Sequence, residues 1–266
     1  MGSSLDSDAS AELRAARSVV LEHVAAACRL AGRDPSDVTL LAVSKTVPAE
    51  RLAAAVAAGL TLLGENRVQE AESKAPLVPG AHWHLIGPLQ SNKARRAVEL
   101  FDAIESVDSL DLARRLDRLA GEIARAPLGI YLQVNVDRDE AKAGFLPESL
   151  EAELPELVTL PNLRLLGLMT VGRLVGTAEE ARSTFVGLRE LSHRLRDQSA
   201  ELGAGLSMGM TGDYAVAVEE GATVIRVGRA LFGAREGGTA GPAESPIRLT
   251  GRNLGRPRWR LGSRRR

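Results

Sequence analysis

The chain has 266 residues, 34 basic and 34 acidic side chains, and a composition that is 44% hydrophobic but only 3% aromatic. This supports a sizeable core built mainly from Leu, Val, Ile and Ala, and the single cysteine, Cys28, excludes an internal disulfide. No apolar run reaches about 18 residues without a charge, and the polar opening MGSSLDSDAS has no signal-peptide pattern, so a cytoplasmic protein without a membrane span is expected.

Residues 1–8 read as a disordered start. Residues 9–31 carry Leu13, Ala16, Val20, Val24, Ala27 and Leu30 at helical spacing, with Gly32 as a stop. Cys28 lies within this apolar pattern and reads as packed core. The rhythm then changes. Residues 38–44 (VTLLAVS) form a short apolar run with β-branched members, and Pro48 opens a helix that runs to about Gly59. The alternation recurs: a strand at 61–64 and a helix from about Glu65, then a strand at 82–86 and a helix from about Asn92. It continues with a strand at 101–107 and a helix at 109–125, a strand at 128–135 and a helix near 147–157, and a strand at 163–169 and a long helix near 178–202. A strand at 206–208 precedes a helix near 213–220, and a strand at 223–227 precedes a last helix near Ala230.

Roughly eight strand–helix units predict a single α/β domain over residues 9–235, a (β/α)8 TIM-type barrel with an extra N-terminal helix. A length prior of about 150 residues per domain would give two domains, but such barrels routinely run near 250 residues as one. The near-continuous apolar strands agree, because parallel strands are covered on both faces. An open doubly wound sheet is the alternative, although such sheets usually have fewer strands. Residues 236–266 shift to Gly, Pro, Ser and Arg and read as a flexible arginine-rich tail. Its arginines could touch an acidic surface, but no folded module surrounds them and no nucleic-acid role is expected.

Barrel sites lie at the C-terminal ends of the strands, and the polar residues of this chain gather there. Lys45 follows the first strand, Glu65 and Asn66 the second, and His84 lies on the third. Asn135 ends the fifth, Ser207 and Thr211 flank the end of the seventh, and Arg226 and Gly228 close the eighth. A lysine in a barrel mouth is partly desolvated, which lowers its pKa and frees the amine as a nucleophile towards a carbonyl; pairing with a carboxylate such as Glu65 is the alternative. The segment Ser207-Met-Gly-Met-Thr-Gly-Asp213 offers hydroxyls and backbone N–H groups ahead of a helix, an arrangement that suits a phosphate; an ordinary capped loop is the alternative. Arg226, in the apolar run TVIRVG, needs a buried partner, either a structural carboxylate or a ligand acceptor. His82 and His84 share a strand face, but no third ligand stands at metal-site spacing.

LLAVSK ending at Lys45, GENRVQE from Gly64, WHLIGPLQSNK from Trp83, GLMTV from Gly167, SMGMTGD from Ser207 and IRVGRALFGAR from Ile225 together resemble the pyridoxal 5′-phosphate (PLP) homeostasis proteins, the YggS/PROSC-type family. The motifs stand in the family's order and extend over residues 38–235. The resemblance implies a monomeric barrel similar to the N-terminal domain of alanine racemase. It implies PLP held as a Schiff base on Lys45 and a role in storing, buffering or delivering the cofactor, with apo PLP-dependent enzymes as candidate recipients. By position, Ser207, Thr211 and Gly228 would hold the phosphate and Arg226 would face the pyridine nitrogen. Asn66 would line the pocket near the ring, with His84 a further pocket candidate. Three departures stand out: Arg67 where many members have Tyr, Leu85 where Phe or Met is commoner, and Thr211 where Ser is commoner.

The alternative function is a PLP-dependent amino-acid racemase. Arginine at the pyridine nitrogen does not separate the two, because alanine racemases tolerate it. Racemases also need a second base, which the family comparison places on a tyrosine of a separate C-terminal domain. This chain's tyrosines are Tyr131 and Tyr214 only, and little sequence follows the eighth strand. A non-enzymatic carrier is therefore the expectation.

Overall fold

The computed structural model describes residues 2–124, 127–172 and 176–233, with side chains from residue 8 onward. Helix α1 (Gly2–Ala31) precedes β1 (Thr39–Val43), α2 (Ala49–Ala57), β2 (Leu62–Glu65), α3 (Val68–Lys74), β3 (His82–Leu85), α4 (Ala94–Leu100) and β4 (Ala103–Val107). Then come α5 (Leu110–Ile123), β5 (Leu128–Gln133), α6 (Pro147–Leu157), β6 (Leu163–Met169), α7 (Arg182–Gln198), β7 (Gly205–Met210), α8 (Tyr214–Glu219), β8 (Val224–Val227) and α9 (Arg229–Phe232). The strands close into a barrel in the order β1 to β8. Closure is made by parallel pairing of β1 with β8, in which Leu41 is opposite Arg226 and Ala42 opposite Val227.

The apolar residues divide between two cores because strand side chains alternate. One large cluster, which includes Leu63, Leu85, Ile104, Leu132 and Phe185, joins the outward strand faces to the helices. A small cluster of Leu41, Tyr131, Met169 and Val224, with Val43, Leu62 and Ile86 against it, fills the barrel interior. Helix α1 packs on α2, α8 and α9. There Arg33 donates to the carbonyls of Val218 and Ala222, and His23 Nδ1 lies 2.8 Å from the Tyr214 hydroxyl.

The single barrel and its extra helix agree with the sequence reading; several boundaries do not. Helix α1 begins at Gly2 rather than Ala9, so the stretch expected to be disordered is helical; no glycine or proline interrupts residues 3–31. The long helix expected to reach residue 202 ends at Gln198. The chain must turn there, because Gly203 lies so close to β6 that a Cβ would stand 2.4 Å from the Leu166 carbonyl oxygen. Strand β7 runs past Gly209 to Met210, although a glycine with φ +91° inside a strand reads as a turn from sequence. Helix α3 starts at Val68, not near Glu65, because Asn66 bends beneath Gly87, where a Cβ would lie 2.4 Å from the Asn66 carbonyl oxygen. The tail at 236–266 lies outside the described residues. Among the described residues no helix is long and apolar enough to cross a membrane.

Candidate functional site

Lys45 stands in a turn directly after β1 and is partly buried. It continues the alternation of Leu41 and Val43, both part of the interior cluster. The next residue, Thr46, has φ 65°, the left-handed region that a β-branched residue rarely adopts. Ser44 has the opposite parity and belongs to a buried cluster on the helix side of the wall. Its hydroxyl donates to Glu65 Oε1 at 2.8 Å, and its carbonyl accepts from Lys74 Nζ at 2.9 Å. Lys74 Nζ also reaches Glu65 Oε1 at 2.8 Å and Glu70 Oε1 at 2.6 Å, and the Thr46 N–H donates to Glu70 Oε1 at 2.5 Å. The carboxylate weighed as a partner for Lys45, Glu65, is thus held by Lys74 and Ser44.

The two carboxylates of this cluster differ. Burial pushes Glu65 above the usual carboxylate range, with the Lys74 and Ser44 hydrogen bonds pulling the other way. Glu70 is also pushed up by burial, but the hydrogen bonds from Lys74 and the Thr46 amide outweigh it and hold its carboxyl below the usual range. Glu65 Oε2 is buried without a hydrogen-bond partner.

A second polar chain crosses the barrel interior. His84 Nδ1 on β3 lies 2.7 Å from Glu105 Oε1 on β4. Ser207 on β7 donates to Glu105 Oε2 at 2.6 Å, and Arg226 on β8 donates to Ser207 Oγ and to the Thr170 carbonyl, both at 2.7 Å. Glu105 and Ser207 are fully buried and Arg226 is 5% exposed. Burial alone pulls the Arg226 guanidinium below its ordinary pKa, while the charges of Glu105 and Asp213 push back. The structural carboxylate considered for Arg226 therefore exists, one hydroxyl away. Within this network the Ser207 hydroxyl donates its proton to Glu105 and its oxygen accepts from Arg226.

Thr211 and Gly228 do come together. The Gly228 N–H points at Thr211 Oγ1 across the loops after β7 and β8, at 3.4 Å. Asp213 Oδ1 accepts the Met210 N–H at 2.6 Å and ties the same turn down. Asn66 follows β2 and is partly buried. Asn135 instead organises its own loop, donating to the carbonyls of Asp139 at 2.8 Å and Lys142 at 3.2 Å. Sequence reasoning missed Glu105, Glu70 and Lys74. Glu105 had a signal, a lone charge within the buried strand AIESV. Glu70 and Lys74 carried only the i, i+4 spacing common to exposed helices.

Barrel, mouth lysine and interior arginine together define a class of proteins. The family model for the alanine racemase N-terminal domain matches residues 20–236. Within that class the chain belongs to the pyridoxal phosphate homeostasis protein family. The pyridoxal phosphate homeostasis protein of Pseudomonas aeruginosa is 45% identical over 223 residues, which cover 82% of this chain and 94% of that one. PipY of Synechococcus elongatus, solved with PLP bound, is 48% identical with a TM-score of 0.71, covering 80% of this chain and 100% of that one. The alanine racemase of Clostridium difficile, at 15% identity and a TM-score of 0.66 over 84% of this chain and 57% of its own, shares the fold.

Proposed function

We propose that this protein binds PLP, holds it through Lys45, and serves PLP homeostasis in the cytoplasm by storing, buffering or delivering the cofactor without turning over amino acids. The observation that carries this reading is a relative, 48% identical and covered along its whole length, whose solved structure contains PLP. The residues present fit the cofactor. Lys45 stands partly buried just past β1, and Thr211 and the Gly228 amide, 3.4 Å apart across the loops after β7 and β8, would turn their donors to the phosphate. Arg226 lies beneath, fixed by Ser207 and Thr170, on the side where the pyridine nitrogen would face. Asn66 and His84 would line the pocket, and the phosphate would fall to Thr211 and Gly228, with Ser207 beneath them. When bound, PLP supplies an aldehyde with which an unprotonated lysine amine condenses, releasing water.

The placement of the tyrosines supports a carrier over a racemase. Tyr131 lies in the interior cluster, 6% exposed, and burial raises its hydroxyl to about 12. Tyr214 is 2% exposed and its hydroxyl meets His23 of α1, outside the barrel. Proton exchange on two faces of a substrate needs a second positioned acid or base, and neither tyrosine is poised for that role. As a carrier the protein would act as a monomer, with apo PLP-dependent enzymes as its recipients. The test is to titrate the purified protein with PLP and with pyridoxal, then incubate the loaded form with L-alanine and follow chirality. Tight PLP binding, weak pyridoxal binding and unchanged chirality are expected. Multiple turnovers, lost in Lys45→Ala, would restore the racemase.

A further inference from the structure

We infer that Glu70 and Lys74 of α3 are positioning residues that set the direction of the Lys45 amine. This rests on the reading that Lys45 holds PLP. The two peptide groups flanking Lys45 are pinned by one i, i+4 pair on one helix. The Ser44 carbonyl, before Lys45, accepts from Lys74 Nζ at 2.9 Å, and the Thr46 N–H, after it, donates to Glu70 Oε1 at 2.5 Å. The clamp is itself locked, since Lys74 Nζ lies 2.6 Å from Glu70 Oε1 and 2.8 Å from Glu65 Oε1.

The turn needs such a clamp. Thr46 is β-branched and held at φ 65°, so it relaxes towards negative φ unless its amide is restrained. That rotation acts directly on the peptide plane that follows Lys45 and swings the stem of its side chain. The cluster lies behind the barrel wall, around Ser44 and Glu65, whereas Lys45 has the parity of the interior residues Leu41 and Val43. Glu70 and Lys74 therefore act through the Lys45 backbone. A plain core ion pair would need only Lys74 and Glu65; it would have no use for the second carboxylate on the Thr46 amide.

The test is a series at Glu70, whose side chain is 25% exposed. Glu70→Gln keeps an oxygen at full reach and loses the charge, Glu70→Asp keeps the charge and loses reach, and Glu70→Ala loses both. Each is titrated with PLP, read by the visible absorbance of lysine-linked cofactor, and melted without ligand. Glu70→Gln is expected to bind within a few-fold of wild type, while Glu70→Ala weakens PLP about tenfold or more and slows linkage, the scale of one charge-assisted hydrogen bond. Glu70→Asp should bind more weakly than Glu70→Gln, and this ordering decides the matter if Glu70→Ala does not fold. Wild-type affinity, rate and absorbance in Glu70→Ala, or Asp binding as well as or better than Gln, overturns the clamp. Lys45→Ala is run alongside: if it keeps the lysine-linked absorbance, the assignment to Lys45 fails instead, whatever Glu70 does.

Discussion

Among single residues, the buried charges carry the strongest consequences. Glu105 is the one carboxylate shared by His84 and, through Ser207, by Arg226. Removing one partner of a buried charged network leaves the others desolvated and uncompensated, so Glu105→Ala should cost about 3–5 kcal/mol in urea unfolding. A loss below about 1 kcal/mol would show that water reaches Arg226. Glu65 gives a pH dependence whose sign follows from its surroundings. Its folded pKa lies above the ordinary 4.5 because burial disfavours its charge. The fold therefore favours the protonated form, and this contribution is full below pH 4.5 and is lost as pH rises through the folded value. Glu65→Gln removes the titrating group, so its melting temperature should fall less than wild type's across that rise. Parallel curves would contradict the assignment. Lys45, just past β1, and Arg226, within β8, were legible in sequence because each is a lone cation in an otherwise apolar run. The partners of Arg226 were not, since Ser207 and Thr170 meet it only after the chain closes on itself.

At the scale of elements, the connection from β7 to α8 joins fold to site. Gly209 has φ +91°, and a Cβ there would stand 2.5 Å from Ala217 Cβ and 2.9 Å from Tyr214 Cα. Glycine is required because α8 folds back onto its own strand. Gly209→Ala should destabilise by roughly 1–3 kcal/mol from backbone strain, with overpacking of similar size added. The same substitution should weaken PLP binding by displacing Thr211, two residues on. Thr211→Ala should leave stability nearly unchanged, weaken PLP by about 1–3 kcal/mol as a lost charge-assisted contact, and leave pyridoxal binding unaltered. Equal losses for both ligands would remove Thr211 from the phosphate. The existence of most elements could be read from apolar runs and glycine or proline stops. Their ends could not: Gly209 looks like a terminator yet sits inside β7, and nothing local shows that Gly203 must stop short of α7 to pass β6.

For the whole molecule, eight repeats of strand and helix were legible because most strands are buried on both faces and read as short apolar runs, β3 with its two histidines being the exception. Closure followed from the count, and the pairing of β1 with β8 then brings Lys45 to the same side of the barrel as Arg226, Gly228 and Thr211. The Ser207 hydroxyl, read from sequence as facing the phosphate, donates to Glu105 across the barrel interior, a contact that spacing does not encode. The reading as a carrier stands on a cofactor held at the barrel mouth by one lysine. The most direct test is to load the purified protein with PLP, reduce it with borohydride, digest it and map the pyridoxyl group by mass spectrometry. The label should be found on Lys45 at about one per chain, and Lys45→Ala should take up none. A label on Lys74, Lys93 or Lys142, or full labelling of Lys45→Ala, would contradict the account.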